Sequence, residues 1–75
     1  MRYRVVFEFQ SEDSAMSDVY NCRDEQQARD KFEELRDSLM HAFDPEGCEV
    51  TDEPLTYSVI NRQEGTFGYV RIVTD

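Results

Sequence analysis

The chain has 75 residues, with 17 acidic and 8 basic side chains and a formal net charge of −9 at pH 7. A chain this short builds one hydrophobic core, so we expect a single domain over residues 1–75 and exclude a second. So negative a chain repels nucleic acids and anionic lipid surfaces, which argues against direct binding to either. A solubility-promoting surface and adaptation to high salt would also explain the acidity, and the sequence leaves both explanations open.

The sequence indicates neither an export signal nor a membrane span. Its first residues, MRYRVVFEF, alternate between apolar and polar, and no stretch approaches the ~20 apolar residues of a membrane helix. We therefore expect a cytoplasmic protein with reduced thiols. The two cysteines, Cys22 and Cys48, are too few for a disulfide scaffold or a zinc site, although one bridge between them stays open.

Alternating side chains predict two strands at the start of the chain. Residues 2–10 have the pattern of a half-buried strand. The larger apolar side chains share one face of it: Tyr3, Val5, Phe7 and Phe9. The polar residues 11–14 then predict a turn, and residues 16–22 predict a second, shorter strand.

A helix is predicted from Asp24 to about Phe43. Asp24 can cap the first helical amides, and Gln27 completes an Asp-x-x-Gln variant of the capping box. The interior contains no Gly or Pro and has an apolar arc about 100° wide. That arc contains Ala28, Phe32, Leu35, Leu39, Ala42 and Phe43. Residues 44–47, Asp-Pro-Glu-Gly, predict the end of the helix.

The last third of the chain predicts a hairpin. Residues 55–61 and 66–74 are rich in β-branched and aromatic side chains, and residues 63–65 between them predict a reversal. Residues 48–51 are a possible short strand, and residues 52–54 predict a break or an edge. The element order is then β-β-α-(β)-β-β. We expect an α+β two-layer sandwich, with one helix on an antiparallel sheet of four to five strands.

The sequence contains no organised motif for catalysis or metal binding. His41, the only histidine, is predicted on the solvent side of the helix, without the pocket and orienting partner of a general base. The isolated glycines form no phosphate-binding loop, and residues 44–53 do not match a calcium-binding loop. We expect no enzyme activity, no cofactor and no metal.

Clustered acidic side chains are the only concentration of functional groups in the sequence. Four of them recur at i, i+3, i+4 and i+7 on the predicted helix and occupy about 10 Å of its surface: Asp30, Glu33, Glu34 and Asp37. Residues 37–61 contain no Lys or Arg, and five further acids lie there: Asp44, Glu46, Glu49, Asp52 and Glu53. We predict that these nine residues bind a partner. Arg29, Lys31 and Arg36 flank the apolar arc and would partly neutralise the helix acids by salt bridges.

In size, one-domain α+β architecture and clustered acids, the chain resembles the small acidic inhibitors encoded by phages and other mobile elements. These include anti-CRISPR proteins and DNA mimics. The resemblance is to a class of proteins and includes no specific motif. It implies a non-catalytic inhibitor or regulator that binds a basic, nucleic-acid-binding surface of a partner protein.

The face of the sheet away from the helix suggests an alternative. Both faces of the predicted C-terminal hairpin carry large side chains, so we expect aromatics among Tyr57, Phe67 and Tyr69 to remain on the open face with Val6 or Val19. These side chains would pack against each other across strands, contact a different protein, or form a homodimer interface. A homodimeric structural or regulatory subunit is therefore the second hypothesis.

Overall fold

A computed structural model describes residues 2–74. It contains five strands, one helix and one short 3-10 helix. In chain order these are β1 (Tyr3–Gln10), β2 (Ala15–Cys22), α1 (Glu25–Ala42), the 3-10 helix Pro45–Gly47, β3 (Glu49–Glu53), β4 (Thr56–Asn61) and β5 (Thr66–Thr74). All strands pair antiparallel in one sheet, and α1 packs on one face of it. The predicted α+β two-layer sandwich is confirmed.

The strands lie in the order β2-β1-β5-β4-β3. The first and last strands of the chain are therefore neighbours at the centre of the sheet, with Tyr3 opposite Thr74 and Phe9 opposite Gly68. Both strands are long and carry alternating apolar side chains, so placing them centrally buries the most apolar surface. The shorter or more polar strands β2 and β3 form the two edges.

The helix begins as the sequence predicts. The Asp24 carboxylate accepts a hydrogen bond of 2.8 Å from the Gln27 backbone N–H. The Gln27 side-chain oxygen in turn accepts one of 2.7 Å from the Arg23 N–H, one residue before the cap. The first bond satisfies an amide that the first helical turn leaves without a partner. In the second bond, the Gln27 side chain accepts from the residue before the cap, whereas a capping box would have it accept from the Asp24 N–H. The helix ends at Ala42, where Phe43 has extended backbone and donates its N–H to the Leu39 carbonyl.

The core lies between α1 and the sheet. The helix contributes its predicted apolar arc except Ala42, which is exposed. The sheet contributes alternate residues of four strands. The buried apolar side chains of the sheet are Val5, Phe7, Cys22, Tyr57, Val59, Val70 and Ile72, and those of the helix are Ala28, Phe32, Leu35 and Leu39. One apolar face thus meets one apolar stripe.

Gly68 lets the C-terminal end of α1 approach the sheet closely. It lies on the helix-facing side of β5, between Phe9 of β1 and Val59 of β4. A methyl group at Gly68 would come within 2.4 Å of Leu39 Cδ2. Beside it, the rings of Phe9 and Phe43 meet edge to face with centroids 5.8 Å apart. The missing side chain of Gly68 therefore makes room for the last helical turn.

The region predicted as a break or an edge is the end of the edge strand β3 and a tight hairpin turn. Asp52 and Glu53 continue β3, and only Pro54 and Leu55 separate it from β4, so Leu55 lies in the turn rather than in the strand. Pairing of Glu53 with Thr56 closes the hairpin. The Leu55 carbonyl accepts a hydrogen bond of 2.9 Å from the Ile72 N–H, which ties this turn to β5.

Both thiols are free. Cys22 ends β2 and Cys48 precedes β3, so they lie at opposite edges of the sheet with three strands between them. Four interstrand steps separate edge strands by roughly 19 Å. A disulfide requires α-carbons within about 7 Å, so the fold excludes a bridge within one chain.

Candidate protein-binding surface

The four acids of the helix stripe, Asp30, Glu33, Glu34 and Asp37, are all exposed on α1. They are held at fixed spacing because the opposite side of the helix is anchored in the core by its buried arc. The stripe therefore presents four carboxylates on a rigid element, away from the sheet.

Basic side chains of the helix leave most of this stripe without ion pairs. Arg29 pairs with Glu25 at 2.9 Å, outside the stripe. Arg36 lies 4.0 Å from Asp52 of β3. Lys31 pairs with Glu34 at 3.2 Å and also stands 4.3 Å from the Tyr20 ring centroid. The prediction that these three cations partly neutralise the stripe is therefore wrong for Arg29 and Arg36, and only Lys31 pairs with a stripe acid.

The remaining stripe acids are free of cations within the described part of the chain. Across residues 2–74, no Lys or Arg side chain pairs with Asp30, Glu33 or Asp37. Asp30 accepts a hydrogen bond of 2.9 Å from the amide of Gln26. His41, exposed as predicted, places Nδ1 2.7 Å from the Asp37 backbone carbonyl and not on its carboxylate.

The other five predicted acids are exposed but do not all lie on the same side of the molecule as the stripe. Asp44 accepts from the Glu46 N–H at 3.0 Å and so organises the turn after the helix. Along β3, side chains alternate between faces. Asp52, opposite the buried Tyr57, lies on the helix side of the sheet. Glu49 and Glu53 lie on the other side.

Glu49 and Glu53 are therefore separated from the stripe by the sheet itself. Glu49 pairs with Arg62 at 3.0 Å, and both side chains are largely exposed. Exposed pairs of this kind contribute about 0–1 kcal/mol. Of the nine predicted acids, the stripe, Asp44 and Asp52 are the ones that adjoin the helix side of the molecule.

The open face of the sheet keeps two of the three predicted aromatics. Phe67 and Tyr69 lie there and are half-buried. Tyr57 does not, which corrects its assignment to that face: it is only 4% exposed and packs beneath the helix. The reason is strand register, since Tyr57 pairs with Val70, which is fully buried in the core. Val6 and Val19 pair with each other on the open face, as predicted.

A groove that the sequence did not predict runs between α1 and the β3–β4 hairpin. It forms because α1 packs across β5, β1 and β2, so that the sheet extends beyond the helix on the β4–β3 side. The groove has a volume of about 310 Å³, and five of its six lining residues are apolar: Met40, Phe43, Val50, Tyr57, Val59 and Asp52. We call it the hairpin groove.

Tyr57, on the floor of the hairpin groove, has a raised phenol pKa. Burial raises the pKa of the Tyr57 phenol above its ordinary value of 10.0, and the nearby Asp52 carboxylate raises it further. Arg36 opposes this shift in the pKa, because its positive charge favours the phenolate. The groove therefore combines an apolar floor with negative charge at its edge.

The described residues offer no organised metal site and no membrane helix. Within residues 2–74, no three His, Cys, Asp or Glu side chains are grouped to hold a metal ion. No helix in that range is long and apolar enough to cross a membrane. Comparisons with protein-family models, curated proteins and solved structures find no match for the chain.

Two features of the sequence point to the hairpin groove in retrospect. On the helical wheel Met40 lies about 110° from the centre of the apolar arc, outside the stripe that Leu39 shares. Val50 is an isolated apolar residue in an acidic segment. They are 43% and 44% exposed, respectively. Only the packing of α1 against the sheet reveals that these two side chains face one groove.

Proposed function

We propose that this protein is a non-catalytic acidic binding module that engages a basic surface of a partner protein. The observation that carries the proposal is the set of three exposed carboxylates, Asp30, Glu33 and Asp37, without a cation among residues 2–74. A protein surface that binds nucleic acid is the kind of basic surface such a row would fit. The role is then that of an inhibitor or regulator, of the anti-CRISPR or DNA-mimic kind.

Charge density supports this role. The stripe places four carboxylates along about 10 Å of helix, and duplex DNA carries one charge per ~1.7 Å of its axis. The density is lower than that of DNA but has the same sign and lies on a rigid rod. A net charge of −9 extends the negative field and would speed association with a positive partner.

Charge reversal on the helix tests the proposal. The variant Glu33→Lys/Glu34→Lys/Asp37→Lys should lose the partner that wild-type protein captures from the source cells. A matched control, Glu12→Lys/Asp13→Lys/Glu64→Lys, changes the net charge equally at exposed positions off the helix and should keep that partner.

Salt dependence provides the second readout. Affinity for the purified partner should fall steeply as ionic strength rises, because the Debye length shortens from about 10 Å at 0.1 M to about 3 Å at 1 M. Equal binding by the helix variant and wild type, or binding that is insensitive to salt, would refute the proposal.

The open sheet face favours a second candidate, a homodimeric structural or regulatory subunit. Apolar side chains there are partly exposed, including Val19 at 55% and Ile60 at 37%. Phe67 pairs directly with Ile60, and Tyr69 lies one row further along the same face. Two copies would bring two charges of −9 together, which opposes association. The acidic binding module is therefore the first candidate.

Light scattering at tens of micromolar separates the two candidates. A dimer that Tyr69→Asp converts to monomer would favour the second candidate. A monomeric wild-type protein, with Tyr69→Asp unchanged in mass, would remove it.

A further inference from the structure

We propose that the hairpin groove is the anchor site of the interface and receives one large apolar side chain of the partner, flanked by Lys or Arg. This inference rests on the proposed function and specifies the chemistry of the partner: a basic segment with an apolar anchor. The groove, and not the acidic stripe alone, would then determine which basic surface binds.

Charge around the groove identifies this occupant. All six lining residues come from the segment 37–61, which contains no Lys or Arg. Of the exposed acids of this segment, Asp37, Asp44 and Asp52 lie on the helix side with the groove, whereas Glu49 and Glu53 lie on the opposite face of the sheet. Asp52 lines the groove itself and lies 4.0 Å from Arg36, the cation nearest to it, while Asp44 directly follows Phe43 at the end of the groove. On the helix wall, Asp37 is three residues before Met40 and therefore lies next to it on the surface. An apolar group brought by an acidic segment would be repelled, whereas one flanked by cations would be attracted.

Size and wall chemistry favour a single anchoring side chain. At about 310 Å³ the groove is at the lower end of the ~300–1,000 Å³ of ligand pockets, and it is open along its length. Interfaces concentrate their energy in a few anchors that fill such depressions, with charged residues at the rim. One wall is Met40, whose flexible thioether side chain adapts to different apolar groups. The floor residues Tyr57 and Val59 are 4% and 1% exposed and so provide a fixed base.

Two synthetic peptides test the anchor separately from the charge. One is an oligolysine peptide with a single central phenylalanine, and the other has serine in its place. The phenylalanine peptide should bind wild-type protein about tenfold more tightly, because the groove removes part of the phenylalanine ring from water. Its binding should shift the NMR signals of the Met40 and Val50 methyl groups.

Variants with unchanged net charge test whether the tighter binding of the phenylalanine peptide arises in the hairpin groove. Met40→Gln/Val50→Thr removes apolar surface from the groove, leaves the net charge unchanged and alters only exposed side chains. It should abolish the tenfold advantage of the phenylalanine peptide while retaining binding of the serine peptide. Met16→Gln is the matched control, since Met16 is 52% exposed on the distant edge strand β2, and it should keep the advantage.

The outcomes distinguish the anchor from the proposed function. Equal binding of both peptides to wild-type protein would overturn the anchor while leaving the acidic surface in place. Loss of the advantage in Met16→Gln, or its persistence in Met40→Gln/Val50→Thr, would also overturn the anchor. Failure of both peptides to bind at low salt would overturn the anchor and the acidic binding surface together.

Discussion

Replacing Gly68 by alanine should destabilise the fold because it drives a methyl group into the last turn of the helix. The added Cβ would lie 2.4 Å from Leu39 Cδ2, 3.2 Å from Leu39 Cδ1 and 3.1 Å from Phe43 Cε2. Carbon atoms in contact prefer separations of about 3.5–4.0 Å, so Leu39 or the helix must move by more than about 1 Å. Leu39 is only 1% exposed, so its side chain is enclosed by other core atoms.

The expected cost follows from two opposing effects. Overpacking a core typically costs about 1–3 kcal/mol. Replacing glycine by alanine restores about 0.4–1 kcal/mol by restricting the unfolded chain. The net loss for Gly68→Ala is then about 1–2 kcal/mol, a large share of the ~3–5 kcal/mol that a core of this size supplies. For a domain of 60–100 residues this corresponds to a fall in Tm of about 5–15 °C.

Thermal and urea unfolding followed by circular dichroism measure this loss. Gly47→Ala is the matched control, because its added Cβ would meet only Asn61 Nδ2 at 3.9 Å, an ordinary contact. It should change stability by less than about 0.5 kcal/mol. A Gly68→Ala variant as stable as wild type, or more stable, would refute the close approach of α1 to β5.

A double-mutant cycle identifies the cause of the loss. Leu39→Ala alone should cost about 2–5 kcal/mol, as large-to-small core changes do. In the Gly68→Ala background it should cost less, because the new methyl group fills part of the space that Leu39 leaves. Additive effects of the two substitutions would place the clash elsewhere.

Three further predictions follow from the structure. The pKa of the Tyr57 phenol is raised above 10.0 in the folded protein. The stability that the protonated phenol contributes is therefore complete below pH 10 and is lost as the pH rises through the higher folded-state pKa. In urea unfolding across this range, the free energy of unfolding should decline less steeply for Tyr57→Phe than for wild type. Asp24→Ala removes the helix cap and should cost about 1 kcal/mol in the same assay, whereas an unchanged Tm would contradict the capping geometry. Under oxidising conditions Cys22 and Cys48 should both remain titratable by a thiol reagent in denatured monomer, and an intramolecular bridge found by mass spectrometry would contradict the sheet order.

Much of the secondary structure is predictable because local signals agree with the tertiary contacts. The helix has a cap, a periodic arc and a proline-glycine stop, and it forms over Glu25–Ala42. Strand β5 has the predicted bounds Thr66–Thr74. Residues 52–54 are harder to predict, since Pro54 and the charged Asp52 and Glu53 are typical of a loop. Asp52 and Glu53 nevertheless pair with β4, because an exposed edge strand tolerates polar side chains on both faces.

The candidate surface is only partly predictable. Helical spacing is sufficient to align Asp30, Glu33, Glu34 and Asp37, and all four are exposed together. Helical spacing is not sufficient to predict how these acids pair with cations, because Arg36 lies beside Asp52, a residue far away in the sequence. Alternation in the sequence determines which residues share a face of the sheet, but not which face packs against the helix. Tyr57 lies beneath the helix because of its register with the partner strand.

The sequence by itself determined the type of the main elements, the amphipathic helix and the concentration of negative charge, because these depend on neighbours within a few residues. Only the tertiary structure decided the strand order, the position of Tyr57 beneath the helix, the close approach over Gly68 and the hairpin groove beside Met40. Each of these depends on which apolar faces meet. That choice depends on the free energy of burying surface across the whole chain, which no local window of sequence contains.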